Sequence, residues 1–113
     1  MKRVLLLLPL LLLAACKPAE PPKPTPKQVS DVLLRQIFEI QDELDRLLAE
    51  AKASGDRCAN VDAMTAGMEM ISPKYRALGV VLEAQGEFKQ AMQAKGVADK
   101  AIAEAREMRR ACR

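Results

Sequence analysis

Residues 61–85 read VDAMTAGMEMISPKYRALGVVLEAQ, and this stretch decides the fold. One set of positions recurs at intervals of three and four, the spacing of an amphipathic helix face; it comprises Val61, Met64, Met68, Ile71, Tyr75, Leu78, Leu82 and Gln85. The pattern continues through Pro73, and a proline inside a helix costs about 3 kcal/mol and kinks it. We therefore predict one helix over residues 60–85, kinked near Pro73, with Asn60 as its N-cap. The alternative is a break at which Ser72 caps a new helix.

Two further helices flank this one. Residues 28–53 carry apolar side chains at helical spacing, namely Val29, Val32, Leu33, Ile37, Ile40, Leu44, Leu47, Leu48 and Ala51. Gly55 follows and can adopt the left-handed conformation that ends a helix. After the turn at residues 85–87, residues 87–111 carry a weaker, alanine-rich face that Lys95 interrupts, made of Phe88, Ala91, Met92, Ala98, Ile102, Ala105, Met108 and Cys112. Short connections between helices of similar length predict an all-α, antiparallel, up-down-up three-helix bundle.

Two cysteines test this topology. Cys58 lies at the start of the second predicted helix and Cys112 at the end of the third. Antiparallel packing brings these two ends together, so we predict a disulfide between them in an oxidising compartment. The closed loop would contribute roughly 4 kcal/mol of stability. Two free thiols or a mixed disulfide with a partner are the alternatives, and two thiolates without histidine fall short of a metal site.

The first sixteen residues have the organisation of an export signal. Lys2 and Arg3 are followed by the apolar run of residues 4–13. That run is too short to cross a bilayer, which needs about 20 residues. Residues 13–16 then read Leu13-Ala14-Ala15-Cys16. The small residues before the cysteine suit a signal peptidase, and the thiol of Cys16 can be acylated.

This segment resembles the lipobox of bacterial lipoproteins at all four positions. The resemblance implies that residues 1–15 are removed and that Cys16 carries the lipid. Lys17, in place of aspartate, implies export to the outer membrane, with the chain facing the periplasm. Each buried methylene contributes about 0.8 kcal/mol, so two or three acyl chains anchor a protein stably. An ordinary secretory peptide with a chance cysteine is the alternative.

A proline-rich stretch separates the anchor from the helices. Residues 17–27 read KPAEPPKPTPK, which predicts extended polyproline II structure. At about 3.1 Å per residue it spans roughly 35 Å. We therefore predict a signal peptide at residues 1–15, a tether at 16–27 and a helical domain at 28–113. A docking segment for a proline-binding partner is the alternative to a spacer.

Composition excludes some classes of function. The chain has 18 lysines and arginines, of which Lys2 and Arg3 leave with the signal peptide, against 15 acidic residues. That balance argues against a nucleic-acid binder. Histidine, the commonest general base and metal ligand, is absent from the sequence. We therefore expect a non-enzymatic protein with neither catalytic residues nor a metal or cofactor.

Charged residues cluster in two places. The carboxylates of the first helix are predicted to form a solvated face, made of Glu39, Asp42, Glu43 and Asp45. Four arginines lie at the C-terminus: Arg106, Arg109, Arg110 and Arg113. We interpret them as complementing the negative end of a helix dipole. Binding of an anionic lipid or an acidic partner is the alternative.

Residues 75–98 resemble a tetratricopeptide repeat, through Tyr75, Leu78, Gly79, Leu82, Gly86, Phe88, Ala91 and Ala98. Lys95 stands where that family has an aromatic residue, and Ala103 where it often has proline. A stable array needs three or more repeats. The alternative is a generic helical hairpin with small residues where its two helices cross, which would have the same residue types at these positions.

These features together predict a lipid-anchored periplasmic protein that acts by protein–protein contact, as an accessory of an envelope, secretion or conjugation assembly or with its own copies. Its oligomeric state stays open. Methionines 64, 68 and 70 could form an adaptable binding face, although Met64 and Met68 suit the core better. One alternative is a small enzyme held at the envelope, or an enzyme inhibitor that uses the loop at residues 55–59. Another is a cell-wall spacer resembling the helical murein lipoproteins. This chain differs from that family in having Arg113 where the family has a terminal lysine.

Overall fold

The computed structural model describes residues 22–113, which form three helices and their short connections. Helix α1 spans Pro26–Ser54, α2 spans Val61–Ala84 and α3 spans Phe88–Ala111. The predicted all-α architecture is confirmed, and no helix boundary differs from its prediction by more than two residues. Within this part of the chain, no helix is both long and apolar enough to cross a membrane.

Helix α1 begins earlier than predicted. Thr25 accepts a hydrogen bond from the backbone N–H of Gln28, and the Gln28 side chain accepts one from the Thr25 N–H. Pro26 occupies the first helical position, where a missing N–H costs nothing. Assigning Pro26 and Lys27 to the extended tether was therefore wrong, because this last proline starts the helix.

Helix α2 continues through Pro73 as one helix, so the alternative of a break at Ser72 is contradicted. Ser72 is buried, and its hydroxyl donates to the backbone carbonyl of Ala98 on α3 at 2.8 Å. This side chain therefore links two helices and does not cap one. A kink at Pro73 stays a prediction.

Asn60 is the N-cap residue of α2, as predicted, but its side chain makes no capping hydrogen bond. Its backbone is left-handed, with φ of 62°. Its side-chain amide nitrogen donates two hydrogen bonds to α1, one to the Leu47 carbonyl oxygen at 3.2 Å and one to Glu50 Oε2 at 3.1 Å. Asn60 therefore holds the α1–α2 connection against α1.

Contacts between the helices establish their directions. Along α1 and α2, Gln36 bonds Lys74 whereas the later Leu47 bonds the earlier Asn60, so these helices are antiparallel. Along α2 and α3, Arg76 pairs with Asp99 and Glu69 with Arg109, which again gives opposite directions. Both α1 and α3 pack on α2. Helix α2 is therefore the central element of the bundle.

All three helices contribute to the core. Its buried members are Ile37, Ile71, Leu78 and Ala94, with half-buried Leu33, Leu34, Ile40, Tyr75, Leu82 and Ala101 packed around them. The Tyr75 hydroxyl accepts a hydrogen bond from the side-chain amide of Gln41 on α1, at 2.7 Å. A phenol at the core edge is thus satisfied by the neighbouring helix.

Small residues set the distance between α2 and α3. Ala91, Ala98 and Ala105 of α3 are almost completely buried. A methyl group on Gly79 of α2 would lie 3.2 Å from the Ala91 carbonyl oxygen and 2.9 Å from Lys95 Cγ. The side chain of Lys95 therefore covers Gly79 and pairs with Glu83 at its charged end. The close crossing predicted from the small residues is present, whereas the repeat resemblance stays a prediction.

Some residues assigned to the predicted apolar faces are exposed. Val32 and Leu48 of α1 are exposed, and so are Phe88 and Met92 at the start of α3. Because the backbones of α1 and α3 lie close to α2 but not to each other, side chains at the outer edges of their apolar faces extend past α2. Ala94, which the predicted α3 face did not include, is buried instead.

Cys58 and Cys112 form the predicted disulfide, with their Cα atoms 5.5 Å apart. Because the helices are antiparallel, this bond lies at the end of the bundle that contains the α1–α2 connection. The opposite end contains Thr25 and the turn at Gly86, whose φ is 79°. Helix α1 therefore begins at the end of the bundle opposite the disulfide.

Candidate interaction surface

Helix α2 has a second apolar face, directed away from both neighbouring helices. Its members are all exposed and recur at intervals of three and four: Ala63, Ala66, Met70, Pro73, Ala77 and Val80. We call these six residues the α2 outer face. Met70 and Val80 expose 57% and 60% of their surface. A helix that is apolar on opposite sides normally has a packing partner on each side.

Two shallow hollows border the α2 outer face on its α1 side. One, of about 300 Å³, lies where Ile40, Leu44 and Leu47 of α1 meet the Ala63–Met70 segment of α2. Gly67 is among its lining residues, and Leu44 packs so closely on this glycine that an added methyl group would lie 2.8 Å from Leu44 Cδ2. The other, of about 490 Å³, is lined by Leu33, Pro73 and Ala77, among others. Met70 borders both hollows, so the apolar surface continues across it.

Charged residues flank the α2 outer face on both edges. On the α3 edge, Glu69 pairs with Arg109. On the α1 edge, the amino group of Lys74 donates to the side-chain carbonyl of Gln36 at 3.0 Å. Glu39 and Glu43 of α1 line the smaller hollow. An apolar strip with charges at its edges is the usual composition of a protein–protein contact.

The predicted acidic face of α1 is exposed, as expected for solvated carboxylates. Arg46 forms ion pairs with Glu43 and Glu50 along one side of the helix. The hydrogen bond from Arg46 lowers the pKa of Glu43 below its ordinary value. These charged side chains keep the outer surface of α1 in contact with water.

The C-terminal arginines lie at the disulfide end of the bundle. Together they line a hollow of about 370 Å³, formed by Arg106, Arg109, Arg110 and Arg113. Arg109 and Arg110 occupy the last turn of α3, where positive charge complements the helix dipole. Arg109 also pairs with Glu69, and Arg110 lies 3.5 Å from Glu107. This arrangement is compatible with the predicted dipole interaction.

The three methionines of the predicted adaptable face separate in the structure. Met64 is buried in the core and Met68 is half-buried, whereas Met70 is exposed on the α2 outer face. Sequence reasoning missed this face as a whole. Its three-and-four spacing is visible in the sequence, but alanines dominate it, and the larger residues on the buried face give the stronger signal.

The predicted lipidation site lies outside the described residues. This applies to Cys16, to the recognition residues Leu13, Ala14 and Ala15, and to the tether before residue 22. Within residues 22–113, no group of three or more His, Cys, Asp or Glu side chains is arranged so that it could hold a metal ion.

The fold and the bond at its end define a small, disulfide-linked antiparallel three-helix bundle. Comparison of the chain with protein-family models, with curated proteins and with solved structures finds no match.

Proposed function

We propose that the protein is a lipid-anchored helical protein of the bacterial envelope that acts by protein–protein contact through the α2 outer face. The exposure of Met70 and Val80 on that face is the observation that carries the proposal. Contiguous exposed apolar surface with a polar rim is characteristic of binding sites for proteins. The proposed place of action is the periplasmic side of the outer membrane.

The anchor is supported by the lipobox resemblance at Leu13–Cys16 and by the position of the tether. Thr25, where the helical bundle begins, lies nine residues after Cys16. At about 3.1 Å per residue, an extended tether places this end within about 28 Å of the lipid. The α2 outer face extends along the length of the bundle from this membrane-proximal end. It therefore stays accessible to proteins that lie beside the anchored bundle.

The proposed anchor is tested by mass spectrometry of the N-terminal peptide from envelopes. We expect a chain that starts at Cys16 and carries fatty acids, and we expect Cys16→Ala to abolish both the lipid and the sedimentation of the chain with membranes. An unmodified N-terminus on the parent chain would contradict the anchor.

The contact is tested separately by crosslinking in intact envelopes. We expect Met70→Lys to remove the crosslinked adducts of the parent chain, because a charge then lies in the middle of the apolar face. Met92→Lys is the matched control, since Met92 is also an exposed methionine but lies on α3 outside this face. Equal adduct yields from Met70→Lys and Met92→Lys would show that contact uses another surface.

A further inference from the structure

The spacing of the α2 outer face defines how a second helix can pack on it. Intervals of three and four place Ala63, Met70 and Ala77 at one core position of a heptad, and Ala66, Pro73 and Val80 at the other. The positions that flank such a core decide orientation, because their side chains meet those of the partner. These flanking positions on α2 are 62, 69, 76 and 83 on the α3 edge, and 67, 74 and 81 on the α1 edge.

From this pattern we infer that the α2 outer face binds the same face of a second copy of the chain, with the two α2 helices parallel. In a parallel pair, each residue on the α3 edge of one copy meets the residue numbered five higher on the α1 edge of the second copy. Glu69 then meets Lys74 of the second copy, and the two-fold symmetry forms this pair twice. The other pairings, Asp62 with Gly67 and Arg76 with Val81, bring no like charges together.

The same symmetry gives complementary charge farther from the axis. It brings the α3 edge of one copy against the α1 edge of the other. The α3 edge carries Arg109 beside Glu69. The α1 edge carries Glu39 and Glu43 at the rim of its hollow, with Lys74 nearby. Positive and negative groups therefore meet on both sides of the axis.

The antiparallel arrangement is less favourable for this surface. Full overlap of the two faces would place Glu69 opposite Arg76 twice, but it would also place Asp62 opposite Glu83 twice. Like charges held opposite each other destabilise a helix pair. Antiparallel packing would also send the two tethers to opposite ends of the dimer. A parallel dimer sends both tethers to one end, as two copies anchored in one membrane require; this part of the inference rests on the proposed function.

The inference is tested by cysteine crosslinking of the full chain in its own envelope. Ala77 lies on the proposed axis, so Ala77→Cys places two thiols next to each other in a parallel dimer. A short bismaleimide should convert most of this variant into a covalent dimer that resists reduction, and the parent chain should give none. Adding Met70→Lys should lower the dimer yield at least tenfold, whereas adding Met92→Lys should leave it unchanged.

Charge variants provide a second readout. Lys74→Glu places a carboxylate opposite Glu69 of the second copy, so we expect a several-fold loss of dimer. Lys89→Glu, at an exposed lysine away from the face, should have no effect. Retention of the Cys58–Cys112 bond and of helical circular dichroism shows that each variant is folded.

Other outcomes would overturn the inference. Crosslinking between co-expressed Ala66→Cys and Ala77→Cys chains, without crosslinking of Ala77→Cys alone, would establish the antiparallel arrangement. Monomers throughout, on a chain that carries lipid at Cys16, would refute the dimer and leave the anchor intact. Loss of adducts with a different protein in Met70→Lys, without any dimer, would retain the proposed function and assign another occupant to the face.

Discussion

Gly79 of α2 and Ala91 of α3 approach so closely that a methyl group on Gly79 would lie 3.2 Å from the Ala91 carbonyl oxygen. The oxygen belongs to the backbone of a helix and cannot move away by itself. The crossing of the two helices therefore depends on the missing side chain. Gly96 of α3 is also helical, but an added methyl group there would meet nothing within 4 Å.

These two glycines predict opposite effects of the same substitution. Gly79→Ala should lower the free energy of unfolding by about 1 kcal/mol, because overpacking costs about 1–3 kcal/mol and exceeds the helix propensity gained. Gly96→Ala should raise it by about 0.5–1 kcal/mol through propensity alone. Urea unfolding followed by circular dichroism measures both. Equal stabilisation by the two substitutions would show that the helices are farther apart than described.

The Cys58–Cys112 bond should supply much of the stability of this small domain. It spans 54 residues in sequence, for which the chain-entropy relation gives about 4 kcal/mol. We expect the double variant Cys58→Ser/Cys112→Ser to unfold at a much lower urea concentration than the oxidised parent. The parent measured under a reducing agent should match the double variant. Identical midpoints for the oxidised and reduced parent would argue against this contribution.

Asn60 should tolerate glycine better than alanine. Alanine removes the hydrogen bonds to Leu47 and Glu50 and must also adopt a left-handed conformation. These effects together should cost about 2 kcal/mol. Glycine loses the same hydrogen bonds but adopts the conformation freely, so its cost should be about 1 kcal/mol. A larger loss for Asn60→Gly than for Asn60→Ala in thermal unfolding would refute the conformational argument.

The hydroxyl of Ser72 should contribute measurably to the α2–α3 contact. Its bond to the Ala98 carbonyl is buried, so Ser72→Ala should cost about 1 kcal/mol of unfolding free energy. Gln93→Ala, at an exposed position of α3, is the control and should change stability by less than about 0.5 kcal/mol. A neutral Ser72→Ala would mean that the Ala98 carbonyl needs no second donor.

The positions of the helices and the disulfide followed from the sequence by itself. Helix spacing is a periodic property of neighbouring residues, and left-handed Gly55 and Gly86 end α1 and α2 because glycine adopts that conformation at little cost. The Cys58–Cys112 pairing followed because antiparallel helices with short connections bring those two ends together. The start of α1 was placed two residues late, because a proline at the first helical position and one in an extended segment look alike in a proline-rich stretch.

The tertiary structure decided which apolar face of α2 is buried. Both faces of this helix have helical spacing, and local sequence does not state where α1 and α3 will pack. Because both neighbours pack on the side of Met64, Ile71 and Leu78, the side that contains Met70 and Val80 is left exposed. The hydrogen-bond partners of Asn60 and Ser72 likewise lie on other helices, so they depend on how the helices pack. Burial and hydrogen bonding between helices depend on residues far apart in the chain, so spacing alone could not predict them.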